Sequence, residues 1–551
     1  MKTNCTWEHP YTPAPKYKKR VAYFSMEFGV DYALKIYSGG LGYLAGSHMR
    51  SAYDLKQNMI GIGMLWKFGY YDQVRDQHSN MRALFRERYY TFLEPTDMVF
   101  PVDINGSPVM VQVWYLPPEV FGTVPMYLMT TDLGDQNDYL SSTITQRLYD
   151  NNESARIAQS IILGVGGAKI VEALGGADIY HMNEAHALPM SFYLYENMGK
   201  DAKKLKEKLV FTTHTPEKAG NEEHNIHLLH KMGFFGGLSL DEVRDLTNTD
   251  SDTFGYTPAA LTMSKKANGV SQLHAKVSNE MWAGVKDAPK IIGITNAQNQ
   301  KYWQDAKMKE ALDAKDVDAL KARKRELKQH LFDVVADQTG KKFDPDVLTI
   351  VWARRFAAYK RADLIMRNRS RFYEMLNQSK HPVQIIWAGK PYPLDESAVD
   401  TFNSLVEMTH LSHNATIVTG YEMNMSRWLK EGSDIWLNTP RRPREASGTS
   451  GMTAAMNGSV NLSTDDGWIP EFAKHGKNSY VIPAADLSQP IHIQDDHDYH
   501  HLMRILTTEI IPTYYEENDK WWKIVQNSMK DVVPMFDADR MADDYYKLLF
   551  N

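Results

Sequence analysis

A short basic segment follows an apolar run in the second half of the chain. The run TIVWA leads directly into RRFAAYKR, which contains Arg355, Tyr359 and Lys360. Arg355 and Lys360 flank a predicted strand-to-helix turn, a spacing that lets both cations converge on one phosphate group. The alternative is a solvated basic face, but these cations follow an apolar strand rather than a polar helix. The segment therefore predicts a phosphate-binding site.

A second loop of small and polar residues also follows an apolar run. Glu445, Gly448, Thr449 and Ser450 come after IWLNT and before a helical pattern. Small residues with free backbone N–H groups can form an anion cradle. The Glu445 carboxylate can accept hydrogen bonds from sugar hydroxyls. The alternative interpretation is an ordinary structural loop.

A glycine-rich turn, SGGLG, lies near the amino terminus. Gly39, Gly40 and Gly42 follow a predicted strand and precede a helical pattern, where backbone N–H groups can approach an anion. The turn does not match the dinucleotide-binding or Walker patterns. Taken alone, such a turn is more often structural than functional.

Polar residues follow two further apolar runs. Glu184 and His186 come after IYHM, and His214 comes after LVFT. Open α/β sheets bind ligands beyond the carboxyl ends of their strands. Each histidine alone fits a structural role, but two at equivalent strand ends favour a functional site.

The elements that must position these residues alternate between short apolar runs and amphipathic stretches. This alternation is typical of a parallel sheet with crossover helices, so the fold class is predicted as α/β. The predicted strands that matter here span residues 21–25, 179–182, 209–213, 347–352, 383–387, 415–419 and 435–438.

We predict two domains and a carboxyl-terminal helical segment. The first covers residues 1–295. The second covers 296–520 and begins with a charged, helix-prone stretch at 300–342. The helices of 521–551 are expected to pack back on the amino-terminal domain.

Composition excludes several classes of protein. The 551 residues carry 62 Lys and Arg against 68 Asp and Glu, a formal charge of −6, so a nucleic-acid partner is not expected. The single cysteine, Cys5, excludes an intrachain disulfide and a cysteine-based zinc site, and no metal site is expected. No secretory signal or membrane-spanning pattern is present, so we predict a cytoplasmic protein.

Taken together, the motifs resemble the α-glucan phosphorylase family. The likeness runs in collinear order through AYFSMEFG, SGGLGYLA, NEAHALPM, FTTHTP, GVSQLHAKVS, GITNAQNQKYW, RRFAAYKRADL, WAGKPYP and REASGTSGM. The resemblance implies the GT-B architecture, in which two Rossmann-like domains face a central cleft. It also implies retaining transfer of a glucosyl unit at the end of an α-1,4-glucan, and it raises the expectation of a homodimer.

The resemblance also assigns roles by motif match. The residues implied in catalysis are His214, beside the anomeric carbon, and the phosphate-binding pair Arg355 and Lys360. The residues implied in donor or phosphate binding are Gly39, Gly40, Gly42, Tyr359, Gly448, Thr449 and Ser450. The residues implied in sugar binding are Asn296 and Glu445, with Glu184 and His186 on the acceptor side.

One position departs from the family pattern. In these phosphorylases the SGTSGM-type loop is followed by a lysine that forms a Schiff base with pyridoxal phosphate, and here that position is Thr453. Because a threonine cannot form an imine, no covalent cofactor is expected. Pyridoxal phosphate bound without a covalent link is the less expected alternative.

Three hypotheses follow from this departure. The leading one is a retaining α-glucosyltransferase that uses a nucleotide sugar as donor, as the related glycogen synthases do, and an α-glucan or oligosaccharide as acceptor. The second is an α-glucan phosphorylase that makes glucose 1-phosphate from glucan and phosphate, with non-covalent or no pyridoxal phosphate. The third is an inactive glucan-binding or regulatory protein.

Overall fold

The computed structural model describes residues 5–377 and 380–551, and the chain folds into two compact units. Unit 1 comprises the chain up to Tyr71, Phe85–Asn299 and Ala538–Asn551. Unit 2 comprises Asp72–Leu84 and Gln300–Asp537.

The strands are β1 (Val21–Phe24), β2 (Met59–Met64), β3 (Asp72–Arg75), β4 (Met81–Leu84), β5 (Glu94–Ile104), β6 (Ser107–Leu116), β7 (Met126–Thr130), β8 (Ile179–Asn183), β9 (Leu209–Thr212), β10 (Glu223–Asn225), β11 (Thr253–Gly255), β12 (Lys266–Gly269), β13 (Ile291–Gly293), β14 (Leu348–Ala353), β15 (Val383–Ala388), β16 (Ala415–Val418), β17 (Ile435–Asn438), β18 (Val460–Thr464) and β19 (Ser479–Ile482).

The helices are α1 (Gly40–Asp54), α2 (Pro118–Phe121), α3 (Tyr139–Thr143), α4 (Glu153–Ile161), α5 (Gly167–Ala173), α6 (Pro189–Asn197), α7 (Ala202–Lys206), α8 (Ile226–Met232), α9 (Leu240–Thr247), α10 (Tyr256–Met263), α11 (Gln272–Met281), α12 (Gln300–Trp303), α13 (Ala306–Asp313), α14 (Val317–Thr339), α15 (Arg369–Leu376), α16 (Glu396–Thr409), α17 (Met423–Gly432), α18 (Ser450–Met456), α19 (Ile469–Phe472), α20 (Ile491–Ile505), α21 (Ile511–Glu516), α22 (Asn518–Phe536) and α23 (Ala538–Asp544).

The main sheet of unit 1 has the order β13-β12-β9-β8-β1-β2-β7-β6-β5. Its strands from β13 to β7 pair in parallel, and β5 and β6 extend it antiparallel. From β1 the chain passes to β2, continues to the edge strand β5 and comes back through β6 to β7, which lies beside β2. It then crosses to the other side of β1 at β8. The connection direction therefore reverses between β1 and β8, and such a reversal opens a crevice at the carboxyl ends of the two strands.

The main sheet of unit 2 has the order β16-β15-β14-β17-β18-β19 and is parallel throughout. The chain starts at β14, moves outward through β15 and β16, and returns through β17. The reversal here lies between β14 and β17. The predicted α/β class is confirmed by these parallel sheets, whereas the GT-B arrangement stays a prediction.

Buried apolar strands explain why the sheets form where the sequence predicts them. Every residue of β14, β15 and β17 is buried, which fits the continuous apolar runs expected for a parallel sheet covered on both faces. In unit 2, α14 contributes Leu331, Phe332 and Val335 to the core against β14 and β15.

The units differ from the predicted domains in their boundaries. The predicted boundary lies between residues 295 and 296, whereas the two units divide after Asn299. The segment Asp72–Leu84, which falls within the predicted first domain, belongs to unit 2. Within the predicted 521–551 segment, residues up to Asp537 belong to unit 2, because Val532 and Phe536 of α22 pack into a core with Met452 and other residues of α18 and α19. Only the last part, beginning with α23, belongs to unit 1.

In the part of the chain that the structure describes, no helix combines the length and apolar character needed to cross a membrane.

Candidate functional site

The reversal between β14 and β17 brings two predicted motifs of unit 2 together. The loop after β14 holds Arg354, Arg355 and Lys360, and the loop after β17 holds Glu445. Because adjacent parallel strands end at the same edge of the sheet, both loops lie at this edge.

Glu445 is the centre of this site. Its Oε2 atom lies 3.1 Å from Nη2 of Arg354 and 3.1 Å from Nζ of Lys360. Burial opposes ionisation of Glu445, but Lys360 and Arg354 outweigh it and hold the pKa of the carboxyl below its ordinary value. Two cations thus share one carboxylate oxygen, so the cluster carries excess positive charge.

Burial lowers the pKa of Lys360 to about 8, and the Arg354 and Arg355 charges add to this effect while Glu445 opposes it. An ammonium group with this pKa is still charged at neutral pH, and an anion bound beside it would restore its proton affinity.

Arg354 is a site residue that the sequence analysis did not single out. Its guanidinium is buried and bonded to Glu445, yet its Nε and Nη1 atoms have no hydrogen-bond partner among the described residues. Leaving a buried charged donor unpaired is unfavourable by about 1–3 kcal/mol or more. The arrangement therefore provides donors for an anionic ligand.

Arg355 and Lys360, which are predicted to bind one phosphate group together, have different surroundings in the structure. Lys360 joins the Glu445 cluster, whereas Arg355 is exposed and lies beside Tyr359. Burial raises the pKa of Tyr359, and Arg355 opposes that rise.

The Gly448 turn packs against the same ion cluster. Gly448 has φ of +74°, a conformation that favours glycine, and a Cβ there would lie 3.4 Å from Nη2 of Arg354. Asp466 fixes the start of this loop, since its carboxylate accepts the backbone N–H of Glu445 at 2.9 Å. Burial raises the pKa of Asp466 to about 7.

The end of the same loop leads into α18. Thr449 is buried, and the Ser450 hydroxyl accepts a hydrogen bond from the Trp436 indole at 3.3 Å. Thr453 is fully buried on α18. Its hydroxyl donates to the Ser450 carbonyl at 3.1 Å, and its own carbonyl accepts from the Asn457 side chain at 2.9 Å. Thr453 is therefore held as part of the core of unit 2.

In unit 1, the glycine-rich turn binds a carboxylate of the protein itself. Glu27 accepts the backbone N–H groups of Ser38 at 2.6 Å and Gly39 at 3.1 Å, and the Tyr149 hydroxyl at 2.7 Å. Burial nevertheless raises the pKa of Glu27. The Gly39 N–H, which the sequence predicts to bind phosphate, donates a hydrogen bond to the Glu27 carboxylate in this structure.

The remaining glycines of the turn have different surroundings. A Cβ on Gly42 would lie 2.5 Å from Oε2 of Glu27, so the turn requires glycine there. A Cβ on Gly39 or Gly40 would meet no atom within 4 Å among the described residues. These two glycines border open space at the start of α1.

Glu184 and His214 meet at the ends of β8 and β9. The Glu184 carboxylate accepts the His214 backbone N–H at 2.8 Å and the Thr215 hydroxyl at 3.1 Å. Burial raises the pKa of Glu184 to about 7, although these hydrogen bonds oppose the rise. Glu184 has φ of +66° and ψ of 168°, a region almost restricted to glycine, and such strain tends to persist at functional sites.

The imidazole of His214 is neutral. Burial, with neighbouring histidines, lowers its pKa to about 3. Its Nε2 lies 2.6 Å from Oδ1 of Asn183, whose amide nitrogen donates to the Ser25 hydroxyl at 3.1 Å. Since Asn183 thus presents its oxygen, His214 donates through Nε2 and keeps Nδ1 as an acceptor.

Two further residues of unit 1 are predicted to bind sugar: His186, two residues after Glu184, and Asn296, which follows β13. Burial lowers the pKa of His186, and its ring lies 6.1 Å from that of Tyr149. Asn296 is buried, and its Oδ1 has no hydrogen-bond partner among residues 5–377 and 380–551. An unpaired buried amide oxygen can accept a hydrogen bond from a ligand hydroxyl.

Comparison with known proteins is consistent with this geometry. The family model described as "Carbohydrate phosphorylase" matches residues 263–482. The chain is 33% identical to the maltodextrin phosphorylase of Thermococcus litoralis over 99% of this chain and 72% of the relative. It is 31% identical to the glycogen phosphorylase of Mycobacterium tuberculosis over 95% of this chain and 70% of the relative.

A further relative has the same span as this chain. The uncharacterized protein MJ1631 of Methanocaldococcus jannaschii is 45% identical over 97% of this chain and 100% of the relative.

Proposed function

Since the chain belongs to the carbohydrate phosphorylase family, we propose that it is an α-glucan phosphorylase that transfers the terminal glucosyl unit of a glucan to inorganic phosphate. The observation that carries this proposal is the buried cluster of Arg354, Lys360 and Glu445 at the reversal between β14 and β17. The relatives from Thermococcus litoralis and Mycobacterium tuberculosis are phosphorylases, so they favour this hypothesis over a nucleotide-sugar donor, the leading hypothesis from the sequence.

In this proposal the cations of unit 2 hold the reacting phosphate. Lys360 and the unpaired donors of Arg354 bind its oxygens, and Arg355 supplies a further charge from the exposed side of the loop. Preorganised cations in a buried site stabilise charge that develops on the phosphate in the transition state, commonly by about 2–4 kcal/mol for each group.

The chemical step exchanges one bond to the anomeric carbon for another. A phosphate monoanion gives its proton to the glycosidic oxygen as the bond from that oxygen to the anomeric carbon breaks. A phosphate oxygen then bonds to the anomeric carbon on the same face. The products are a glucan shortened by one unit, with a new free hydroxyl, and α-glucose 1-phosphate.

The neutral groups of unit 1 are proposed to hold the sugar. His214 keeps a free Nδ1 acceptor, Asn296 keeps an unpaired Oδ1, and Glu184 fixes the backbone that carries His214. Glu184 and His186 are proposed to line the acceptor side, and Glu445 of unit 2 to bind a further hydroxyl. Uncharged acceptors suit sugar hydroxyls, which donate hydrogen bonds without bringing charge.

The residues present do not fit a pyridoxal phosphate tethered through an imine. The family's lysine position is Thr453, whose hydroxyl is bonded within its own helix and whose side chain is fully buried. We therefore propose that the reaction does not use a covalently bound cofactor.

A donor panel tests the proposal. Purified protein receives a short maltodextrin with glucose 1-phosphate, UDP-glucose or ADP-glucose, each with and without added pyridoxal phosphate. We expect extension of the maltodextrin from glucose 1-phosphate and from neither nucleotide sugar. Extension only from a nucleotide sugar would restore the donor that the sequence analysis placed first, and glucan binding without extension from any donor would favour an inactive binding protein.

The cofactor part of the proposal has its own readout. The absorbance of the purified protein above 320 nm and the mass of its borohydride-treated form report an imine independently of activity. We expect neither an imine band nor an added mass. A borohydride-fixed pyridoxyl group on any lysine would contradict this part of the proposal.

A further inference from the structure

A β-hairpin of unit 2 comes from the amino-terminal half of the sequence. Strands β3 and β4 pair antiparallel, with Asp72 opposite Leu84 and Arg75 opposite Met81. The residues on both sides of this hairpin, up to Tyr71 and from Phe85, belong to unit 1. The chain therefore leaves one unit to place a short hairpin in the other.

The hairpin is anchored in unit 2 at three places. The Gln73 side chain donates from Nε2 to the Gly389 carbonyl at 2.9 Å, Arg75 donates to the Ile417 carbonyl, and the Met81 backbone N–H donates to Oδ1 of Asn403 at 3.0 Å. Gln73 is 4% exposed. Burying an amide is unfavourable unless it forms hydrogen bonds, and an apolar side chain would fill the same space at lower cost.

Gly389 is pressed against the loop that carries the phosphate-binding cations. It follows β15 directly, has φ of +143°, and a Cβ there would lie 1.7 Å from the Arg354 carbonyl oxygen. The Arg354 backbone N–H donates to the Ala388 carbonyl at 3.2 Å. Further along, the Phe356 N–H donates to the Lys390 carbonyl at 3.4 Å. The segment around Gly389 thus runs alongside the segment that begins at Arg354.

We propose that Gln73 is a positioning residue for oxyanion binding. It fixes the Gly389 peptide, and that peptide supports the backbone of Arg354, whose guanidinium must stay beside Glu445. The hairpin thereby couples a segment of the amino-terminal half of the sequence to the phosphate-binding loop. This inference rests on the proposed function, because it takes the Arg354 cluster to bind phosphate.

The test measures oxyanion binding and the two Michaelis constants separately. Full-length wild type and Gln73→Met are titrated with sulfate, which does not react, and assayed for phosphorolysis of maltodextrin. Met preserves length but cannot donate to the Gly389 carbonyl. We expect the sulfate Kd and the phosphate KM to rise about tenfold. This factor corresponds to the free-energy cost of leaving the buried Gly389 carbonyl without its hydrogen-bond partner. The maltodextrin KM should stay within about twofold, an expectation that follows from near-additivity at distant sites.

Two variants of the same hairpin serve as controls. Arg75→Met removes the anchor at Ile417, which lies on β16 rather than beside Arg354, and Gln77→Met changes an exposed residue of the turn. Both should leave the sulfate Kd near the wild-type value. If Gln73→Met does not fold, Gln73→Leu, which is also uncharged and cannot donate a hydrogen bond, replaces it with the same expectation.

The outcomes separate this inference from the proposed function. Equal sulfate binding by wild type and the Gln73 variant would overturn the positioning role alone. A rise of the same size in Arg75→Met would also overturn it, because hairpin docking in general would then be responsible. A wild type that binds neither sulfate nor phosphate would overturn both.

Discussion

The two units of this protein build their candidate sites on the same sheet plan, but the site of unit 1 is largely uncharged whereas that of unit 2 is positively charged. In unit 1 the chain reverses between β1 and β8, and in unit 2 between β14 and β17. The unit 1 crevice holds neutral histidine and carboxyls with raised pKa values, such as Glu27 and Glu184. The unit 2 crevice holds Arg354 and Lys360 around one carboxylate.

This difference shows that the sheet supplies position and the loops supply chemistry. The same arrangement of parallel strands brings loop residues to one edge in each unit. Only the residue types after the strands decide whether that edge suits a sugar hydroxyl or a phosphate. If this division is right, removing a cation of unit 2 should affect phosphate and spare the sugar, and removing a hydrogen-bond acceptor of unit 1 should do the reverse.

The largest effect is expected from removing the charge of Lys360. Lys360→Met should lower kcat/KM for phosphorolysis by an amount equivalent to about 2–4 kcal/mol of transition-state stabilisation, since Lys360 contributes a cation to the proposed phosphate site. Steady-state kinetics measure this effect, and Lys477→Met, an exposed lysine of unit 2, is the matched control. Rates equal to wild type in Lys360→Met would refute the phosphate-site assignment.

A smaller and differently directed effect is expected from Glu184. Glu184→Ala removes the acceptor for the His214 N–H and the Thr215 hydroxyl, and each such hydrogen bond contributes about 0.5–1.5 kcal/mol. We expect activity to fall by about one to two orders of magnitude with a raised maltodextrin KM. The sulfate Kd should not change.

Glu280→Ala on α11, an exposed carboxylate of unit 1, is the control for this variant. Weakened sulfate binding in Glu184→Ala would break the division between a sugar side and a phosphate side.

The pH dependence of oxyanion binding sharpens the same comparison. The pKa of Lys360 is lowered to about 8, so its ammonium is charged below this value and lost as the pH rises through it. The affinity for sulfate, whose charge is constant here, should fall by up to about tenfold between pH 7 and pH 9.

Lys360→Arg should abolish that fall, because a guanidinium stays charged throughout this range. The pKa of His214 is lowered to about 3, so His214 itself should not titrate near neutral pH. Calorimetric titration of both proteins across this range is the measurement. An unchanged fall in Lys360→Arg would assign the titration to another group.

The smallest effect is expected from Gly40. Gly40→Ala should change the free energy of unfolding by less than about 0.5 kcal/mol, because its Cβ would meet no described atom. Gly42→Ala, whose Cβ would approach Glu27 closely, should destabilise by about 1–3 kcal/mol. Denaturant unfolding measures both. Equal losses would show that Gly40 does not border open space.

Much of the fold could be predicted from apolar runs. The predicted strand at 435–438 coincides with β17, and the one at 383–387 ends one residue before β15 does. Buried parallel strands leave such runs in any sequence. The hairpin of β3 and β4 could not be assigned to unit 2 in this way, because the contacts of Gln73 and Arg75 are with residues far along the chain.

The sequence predicts Lys360 and Glu445 as site residues, because both lie in loops that follow apolar strands, but it does not predict their pairing. The structure places Nζ of Lys360 3.1 Å from Oε2 of Glu445, and their roles in binding stay predictions. The sequence favours Arg355 over Arg354 as a phosphate-binding residue. Because every residue of β14 is buried, its pattern does not tell which of the two arginines points inward. The Gly39 N–H was likewise assigned to phosphate, since the sequence does not show that Glu27 folds back onto it.

The most direct test of the central claim is phosphorus NMR of protein that has been treated with hydroxylamine, which releases any imine-bound pyridoxal phosphate as its oxime, and then dialysed. The protein is given maltodextrin and inorganic phosphate, and the phosphorus signals are followed with time. The proposal predicts a new signal of α-glucose 1-phosphate, formed with retention and without a covalently bound cofactor. A phosphate signal that never changes, with or without added pyridoxal phosphate, would contradict the claim.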